Sequence, residues 1–236
     1  MEHGLLPTFR ELAEFFLDQR ANSSRWNRAN PGLLPPNVSI VSAERGAASL
    51  GSGRVGGDSV TFALVVVPSL MNSAGMLHGG AQATLIDTLT TTALSAAEVH
   101  EQLLGRGGLG GGGGGATAGS DELTLSASAT VTLSVEYLSG GKPGQTVFVR
   151  AVVDRAGKAL AFLSAELFNL PSDNTDGDGG RAGAGSGDGG PRTGRANRTL
   201  LSRGTHVKSM ARSRKVPAGG FLSAIAKRRT APSPRL

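Results

Sequence analysis

The chain of 236 residues has no cysteine, which excludes disulfides, thiolate nucleophiles and cysteine-ligated zinc or iron–sulfur centres. Histidine is scarce as well. The four present stand at 3, 78, 100 and 206, too dispersed for a histidine-built metal site, so no metal is expected. Aromatic residues are only 4% of the chain. No apolar run reaches the roughly 18 residues that a membrane-spanning helix needs, so no transmembrane segment is expected. The opening "MEHGLLPTFRELAEFF" carries early acids and lacks a basic region followed by an apolar core, which argues against a secretory signal. The cytoplasm is the expected compartment. The alternatives are a peroxisome-like organelle, addressed through Pro234, Arg235 and Leu236 with proline where a small residue is expected, or the mitochondrion.

What the chain does have is positive charge, +6 in all. Its location matters more than its sum. Arg212, Arg214, Lys215, Lys227, Arg228, Arg229 and Arg235 give residues 210–236 a charge of +7 with no acid, which leaves +6 minus +7, or −1, for everything before them. A near-neutral body with a basic tail does not describe a domain whose folded face grips phosphates, so no nucleic-acid partner is expected.

Glycine is also plentiful, with 36 residues. It concentrates in "GRGGLGGGGGGATAG" (105–119) and in "DNTDGDGGRAGAGSGDGGPRTGRANR" (173–198). Neither stretch can bury enough apolar surface to offset its ordering entropy, so both are expected to be disordered insertions. Neither has the strand, helix and lysine context of a phosphate-binding loop.

Between the insertions the periodicity is clear. Residues 8–20 place Phe9, Leu12, Ala13 and Phe16 on one helical face, with Thr8 as a cap and Glu11 three residues later. Strand patterns follow at 37–44 and 59–68, then one long helix-like run, then strand patterns at 129–138, 145–156, 158–169 and 199–210. Consecutive strands without helical crossovers make an antiparallel sheet, and its single long helix must lie across one face. The expected class is α+β. Residues 1–36 form an N-terminal helix and linker. A domain follows over 37–210, interrupted at about 101–123 and 171–198, and 211–236 form a disordered basic tail. "DRAGK" (154–158) reads as a hairpin connection in which Gly157 can take a positive φ.

One carboxylate, Asp87, sits inside the otherwise apolar helix. The line "NSAGMLHGGAQATLIDTLTTTAL", followed by "VTLSVEYLSGGKPGQTVFVRAVVDRAGKALAFLSAELFN" and "RGTHVKSM", resembles the hotdog-fold acyl-CoA thioesterases of the phenylacetate-degradation type. The resemblance covers roughly 37–170 and 199–210. It implies a sheet wrapped around the helix, an acyl-CoA substrate, no cofactor, obligate homodimers and commonly homotetramers. It further implies that Asp87 is the catalytic carboxylate, as general base on water or as nucleophile, with Asn72 beside the water or thioester and His78 shaping the oxyanion site. Thr130 stands where the family has a serine hydroxyl that holds the water; in a register shifted by two, Ser128 or Thr132 takes that role. Lys142, His206 and Lys208 fall in regions used near the nucleotide end of coenzyme A, where its phosphates call for a cationic or N–H-rich rim, and Tyr137 can offer a flat face to pantetheine or adenine.

The helix start has a chemistry of its own. Gly79 and Gly80 expose backbone N–H groups at the positive end of a helix dipole, which suits a thioester oxygen that becomes negative. Asp87 lies eight residues on, roughly 12 Å along the axis, too far to serve that end of its own helix. Two antiparallel helices across a dimer axis remove the gap. A non-catalytic acyl-CoA or acyl-carrier scaffold, and a tail that meets anionic membrane or nucleic acid, are the competing functions.

Overall fold

The computed structural model describes residues 6–22, 32–46, 56–104, 122–170 and 198–230. Helix α1 (Phe9–Asn22) leads into strands β1 (Val38–Glu44) and β2 (Asp58–Val65), then helix α2 (Gly79–Leu103). Strands β3 (Glu122–Tyr137), β4 (Thr146–Ala156), β5 (Leu160–Asn169) and β6 (Thr199–Pro217) follow, and helix α3 (Ala218–Thr230) closes the described chain. All pairings are antiparallel, in the order β1-β2-β4-β5-β6-β3.

Alternation explains the layers. Val147, Val149, Ala151 and Val153 of β4, with Ala161, Leu163, Ala165 and Leu167 of β5, are buried at every second position. They meet Leu85, Ile86, Leu89 and Ala93 of α2, which packs across β2 through β6. α1 covers another side of α2 with Phe9, Leu12, Ala13 and Leu17, so α2 is buried over most of its circumference. The α1 start is a reciprocal cap: Thr8 Oγ1 accepts from the Glu11 N–H at 3.2 Å, and Glu11 Oε2 accepts from the Thr8 N–H at 2.7 Å. This is the hotdog arrangement, a sheet wrapped on one long helix.

Several expectations shift. Residues 101–103 belong to α2 and 122–123 to β3, so the first insertion is shorter than about 101–123. Residues 105–121 of it, residues 171–197 of the second insertion, and Pro234, Arg235 and Leu236 lie outside the described residues. The 154–158 hairpin forms, but Gly157 is not among the positive-φ glycines; its N–H donates to the Leu160 carbonyl at 2.9 Å.

The basic tail is folded up to Thr230. β6 runs on to Pro217 because residues 122–127 of β3 supply its ladder partner. α3 then lays Phe221 against Phe15, with ring centroids 4.7 Å apart. Arg228 pairs with Asp18, and Arg229 pairs with Glu11 at 2.5 Å. Composition alone showed a tail without acids; its counter-charges stand on α1 and, for Lys215, on Glu122 of β3.

Candidate active site

The candidate residues fall into two groups along α2. The first is its N-terminus. The chain reaches it through a loop at 72–76, closed by a bridge between Met71 and Leu77. Asn72 Oδ1 accepts from the N–H groups of Ala74 (3.0 Å) and Met76 (3.1 Å), and Gly75 takes φ +74° in the turn. The carboxamide oxygen of Asn72 is thus committed to the loop, and its amide N–H groups are what it can offer a ligand.

His78 is the N-cap of α2, and its Nδ1 accepts from the Gly80 N–H at 2.8 Å. Gly79, the first helical residue, has no intrahelical acceptor for its own N–H. Tyr137, about half exposed at the end of β3, lies against it: a Cβ on Gly79 would sit 3.3 Å from the ring. Lys142 is exposed one residue beyond Gly141, whose carbonyl accepts from the Leu77 N–H at 2.8 Å. Asn72, His78, Gly79, Gly80 and Tyr137 therefore share one end of the helix, with Lys142 on the neighbouring loop.

The second group surrounds Asp87. Gly204 of β6 lets α2 come close, since a Cβ there would meet Ser134 O at 2.8 Å and Ile86 Cδ1 at 3.0 Å. The next position along the helix, Asp87, then comes within reach of β6 and β3. Its Oδ1 accepts from Thr130 Oγ1 at 3.1 Å and lies 3.3 Å from His206 Nε2 and 3.8 Å from Lys208 Nζ.

Thr130 rather than Ser128 or Thr132 faces Asp87, and a β-bulge is the reason. Thr130 pairs with Lys208 and Leu133 with His206, both on the inner face of β6, while Val131 is the extra residue between them, 58% exposed. A regular strand would have put Thr130 and Leu133 on opposite faces; the bulge turns the hydroxyl inward.

His206 and Lys208 do not form a cationic rim. Both are buried, at 0% and 4% exposure, because Gly204, His206, Lys208 and Met210 are the inward-facing set of β6. Burial, followed by the nearby Lys208 charge, pushes the His206 imidazole down to about 4, so it is neutral near pH 7, although Asp87 opposes the shift. Burial also lowers Lys208, an effect that Asp87 counters. Its Nζ donates to Thr91 Oγ1 at 3.0 Å.

Thr90, Thr91 and Arg20 were not picked out from sequence. The threonines stand three and four residues after Asp87, the spacing of one helix face, which was a usable signal. Arg20, in the last turn of α1, acts electrostatically on both Asp87 and Lys208, and no local pattern announces that.

Comparison with known proteins speaks to this arrangement. A thioesterase superfamily model matches residues 74–174, a span that holds the α2 N-terminus, Asp87 and Thr130. The chain is similar to acyl-coenzyme A thioesterase 13 of Homo sapiens, 33% identical over 98 residues, or 42% of this chain and 52% of the human protein. The Mus musculus counterpart is 32% identical over the same shares. The chain thus spans about half the length of the curated relatives it matches. Zebra fish thioesterase superfamily member 2 superposes with a TM-score of 0.53 over 86% of this chain and 99% of that one, at 20% identity, which bears on the fold alone. No helix among the described residues is long and apolar enough to cross a membrane.

Proposed function

We propose that this chain is an acyl-CoA thioesterase that works as a homodimer, within a homotetramer, on composite sites built from two helices. The observation that carries the reading is the separation of the two groups. Within one chain, the backbone donors at Gly79 and the carboxylate at Asp87 are eight helical residues apart, roughly 12 Å. Each is half of a hydrolytic site. Antiparallel α2 helices bring the Gly79 end of one subunit to the Asp87 of the other, twice per dimer.

In such a site water adds its oxygen to the thioester carbon and gives its proton to Asp87. The carbonyl π electrons move to the oxygen, which the Gly79 N–H and the helix dipole receive, with Asn72 Nδ2 a further donor. Thr130, fixed on Asp87, helps to hold the water. Collapse re-forms the carbonyl and breaks the carbon–sulfur bond; the proton on Asp87 passes to the departing sulfur, giving free acid and CoA. A thiolate leaves readily, so oriented water and a polarised carbonyl suffice without a metal or redox cofactor. If Asp87 attacks directly, an anhydride forms first, and a single turnover in ¹⁸O-water places label in the Asp87 carboxylate. Tyr137 and Lys142, beside the helix end, are assigned to the pantetheine and phosphates of the substrate. The compartment assigned is the cytoplasm.

Complementation tests the composite site. Asp87→Asn and Gly79→Pro are each expected to abolish hydrolysis of acyl-CoAs. Refolded together as an equal mixture they should recover about a quarter of parent activity, because half of the dimers are mixed and each holds one intact site. No recovery from two folded, dimeric variants would place both groups in the same subunit's site and sink the composite model.

A second reading has one observation in its favour. Lys208 lies 3.8 Å from the Asp87 carboxylate, which is thereby engaged in an ion pair. A scaffold that binds acyl-CoA or an acyl carrier without turnover would tolerate that pairing. Saturable CoA binding with no thiol release across short, long and aryl acyl-CoAs would establish it.

A further inference from the structure

The second group contains more hydrogen-bonding machinery than a lone base needs, and the hydrogens can be placed by elimination. The Thr90 hydroxyl lies 2.6 Å from the Ile86 carbonyl, its closest acceptor, and donates there. Its oxygen is then left to accept from His206 Nδ1, 2.8 Å away. The neighbouring Thr91 repeats the pattern: its hydroxyl donates to the Asp87 carbonyl at 2.6 Å, and its oxygen accepts from Lys208 Nζ.

With its hydrogen on Nδ1, neutral His206 turns the bare lone pair of Nε2 toward Thr130 Oγ1 at 3.0 Å and Asp87 Oδ1 at 3.3 Å. Two acceptors, Nε2 and the carboxylate, thus face each other with one Thr130 hydroxyl hydrogen between them. Lys208 Nζ, 3.4 Å from Thr130 Oγ1, adds a donor to the Thr130 oxygen and supplies none to Nε2. This conflict disappears once Asp87 is protonated, because its new O–H then points at a vacant acceptor.

We propose that His206 is a positioning residue whose Nε2, oriented by Thr90, stands as a vacant acceptor beside Thr130 while the Thr130 hydroxyl donates to charged Asp87, and accepts a hydrogen bond from Asp87 once Asp87 has taken the proton of water. The proposal rests on the thioesterase reading above and deepens it. The carboxylate has a prepared partner for its protonated form, and that partner is neutral, so it adds no third positive charge beside Lys208 and Arg20. Those two cations and Asp87 are the charged groups that act on this imidazole and its partners from α1, α2 and β6. Burial and Lys208 push the imidazole down to about 4, so the ring is neutral near pH 7. The pair retains no proton after turnover: it goes from water to Asp87, is held there by His206, and leaves with the sulfur.

The test uses the full chain with ¹⁵N-labelled imidazoles, His206 being assigned by comparison with His206→Gln. The expected spectrum from pH 8 to pH 5 is that of one neutral, Nδ1-protonated ring whose Nε2 signal moves on Thr130→Val. A ring protonated on Nε2, or one that titrates near neutrality, overturns the proposal.

Kinetics adds a readout that plain packing would not move. His206→Leu should lower kcat by about 2- to 10-fold with KM within about twofold, as expected for losing one hydrogen bond between neutral partners, and His206→Gln, whose side-chain oxygen can accept, should restore most of it. If His206→Leu does not fold, the parent spectrum and the Gln variant still decide. A parent that hydrolyses acyl-CoA while the folded His206 variants match it overturns this proposal alone. A parent that hydrolyses none overturns the thioesterase reading, and the role assigned to His206 falls with it.

Discussion

The two ends of the proposed reaction are built differently although both belong to α2. The Gly79 end is open and made mostly of backbone: a cap from His78, a loop shaped by Asn72, and a tyrosine ring set against a glycine. The Asp87 end is made of side chains from three elements, among them two buried groups, His206 and Lys208. A site for developing negative charge needs N–H groups that the helix start provides without further construction. A site that handles a proton needs a carboxylate with defined partners, and those must be brought from elsewhere in the chain.

The comparison is broken most severely at the carboxylate. Asp87→Asn should cost about 10²- to 10⁴-fold in kcat, the usual contribution of a general base, with the dimer intact by light scattering. Equal activity in the folded variant would leave the helix end as the only working half.

Next in size is the joint that places one end relative to the sheet. Gly204→Ala introduces a methyl group 2.8 Å from Ser134 O and 3.0 Å from the Ile86 side chain. Overpacking of that kind costs about 1–3 kcal/mol, seen as a lower melting temperature, and kcat should fall because Asp87 moves with Ile86. Unchanged melting and turnover would show that α2 is not seated through Gly204.

A smaller effect separates the buried Asp87 side of α2 from the open end through pH. Burial raises Glu98 of α2 from 4.5 to about 7, against opposing hydrogen bonds from Ser126. The native state then holds a proton that the unfolded chain releases, so stability falls as pH rises from about 4.5 to 7. His206 has the opposite sign: lowered from 6.5 to about 4, it withdraws stability as pH falls through that window. Glu98→Gln should therefore melt higher than the parent at pH 8 and show a steeper loss on acidification from 6.5 to 4. Parallel melting curves at both pH values would contradict these assignments.

The smallest effect is expected farthest from both ends. Arg229 holds Glu11 down to about 2, so that contribution is present above 4.5 and is lost as pH falls toward 2. The pair is on the surface, and Arg229→Ala should lower the melting temperature slightly and only at low salt. A large, salt-independent drop would mean that α3 is integral to the α1 packing.

Legibility in the sequence followed the range of the interactions. The cap at Thr8, the helix start at Gly79, the antiparallel strands and the paired inward positions of β4 and β5 depend on neighbours within a few residues, and each left a pattern. Thr130 was placed with two alternatives because period two is blind to a bulge, which exists only against a partner strand. His206 and Lys208 were assigned to a rim from their charge and region, yet every second residue of "RGTHVKSM" is inward-facing, so the polar ones are the buried ones. The tail was expected to be disordered because its charges were counted without the α1 acids that meet them.

The sequence by itself determined the periodicities, the helix start with its cap and glycines, and a carboxylate on an apolar helix, since all of these follow from spacing along one chain. Only the tertiary structure decided which groups surround that carboxylate, which hydroxyl faces it, and that a histidine and a lysine lie buried beside it. Those contacts join residues 43 to 121 positions apart, and their geometry is set by the bulge in β3 and by the close passage of α2 over Gly204, neither of which is a property of any local stretch.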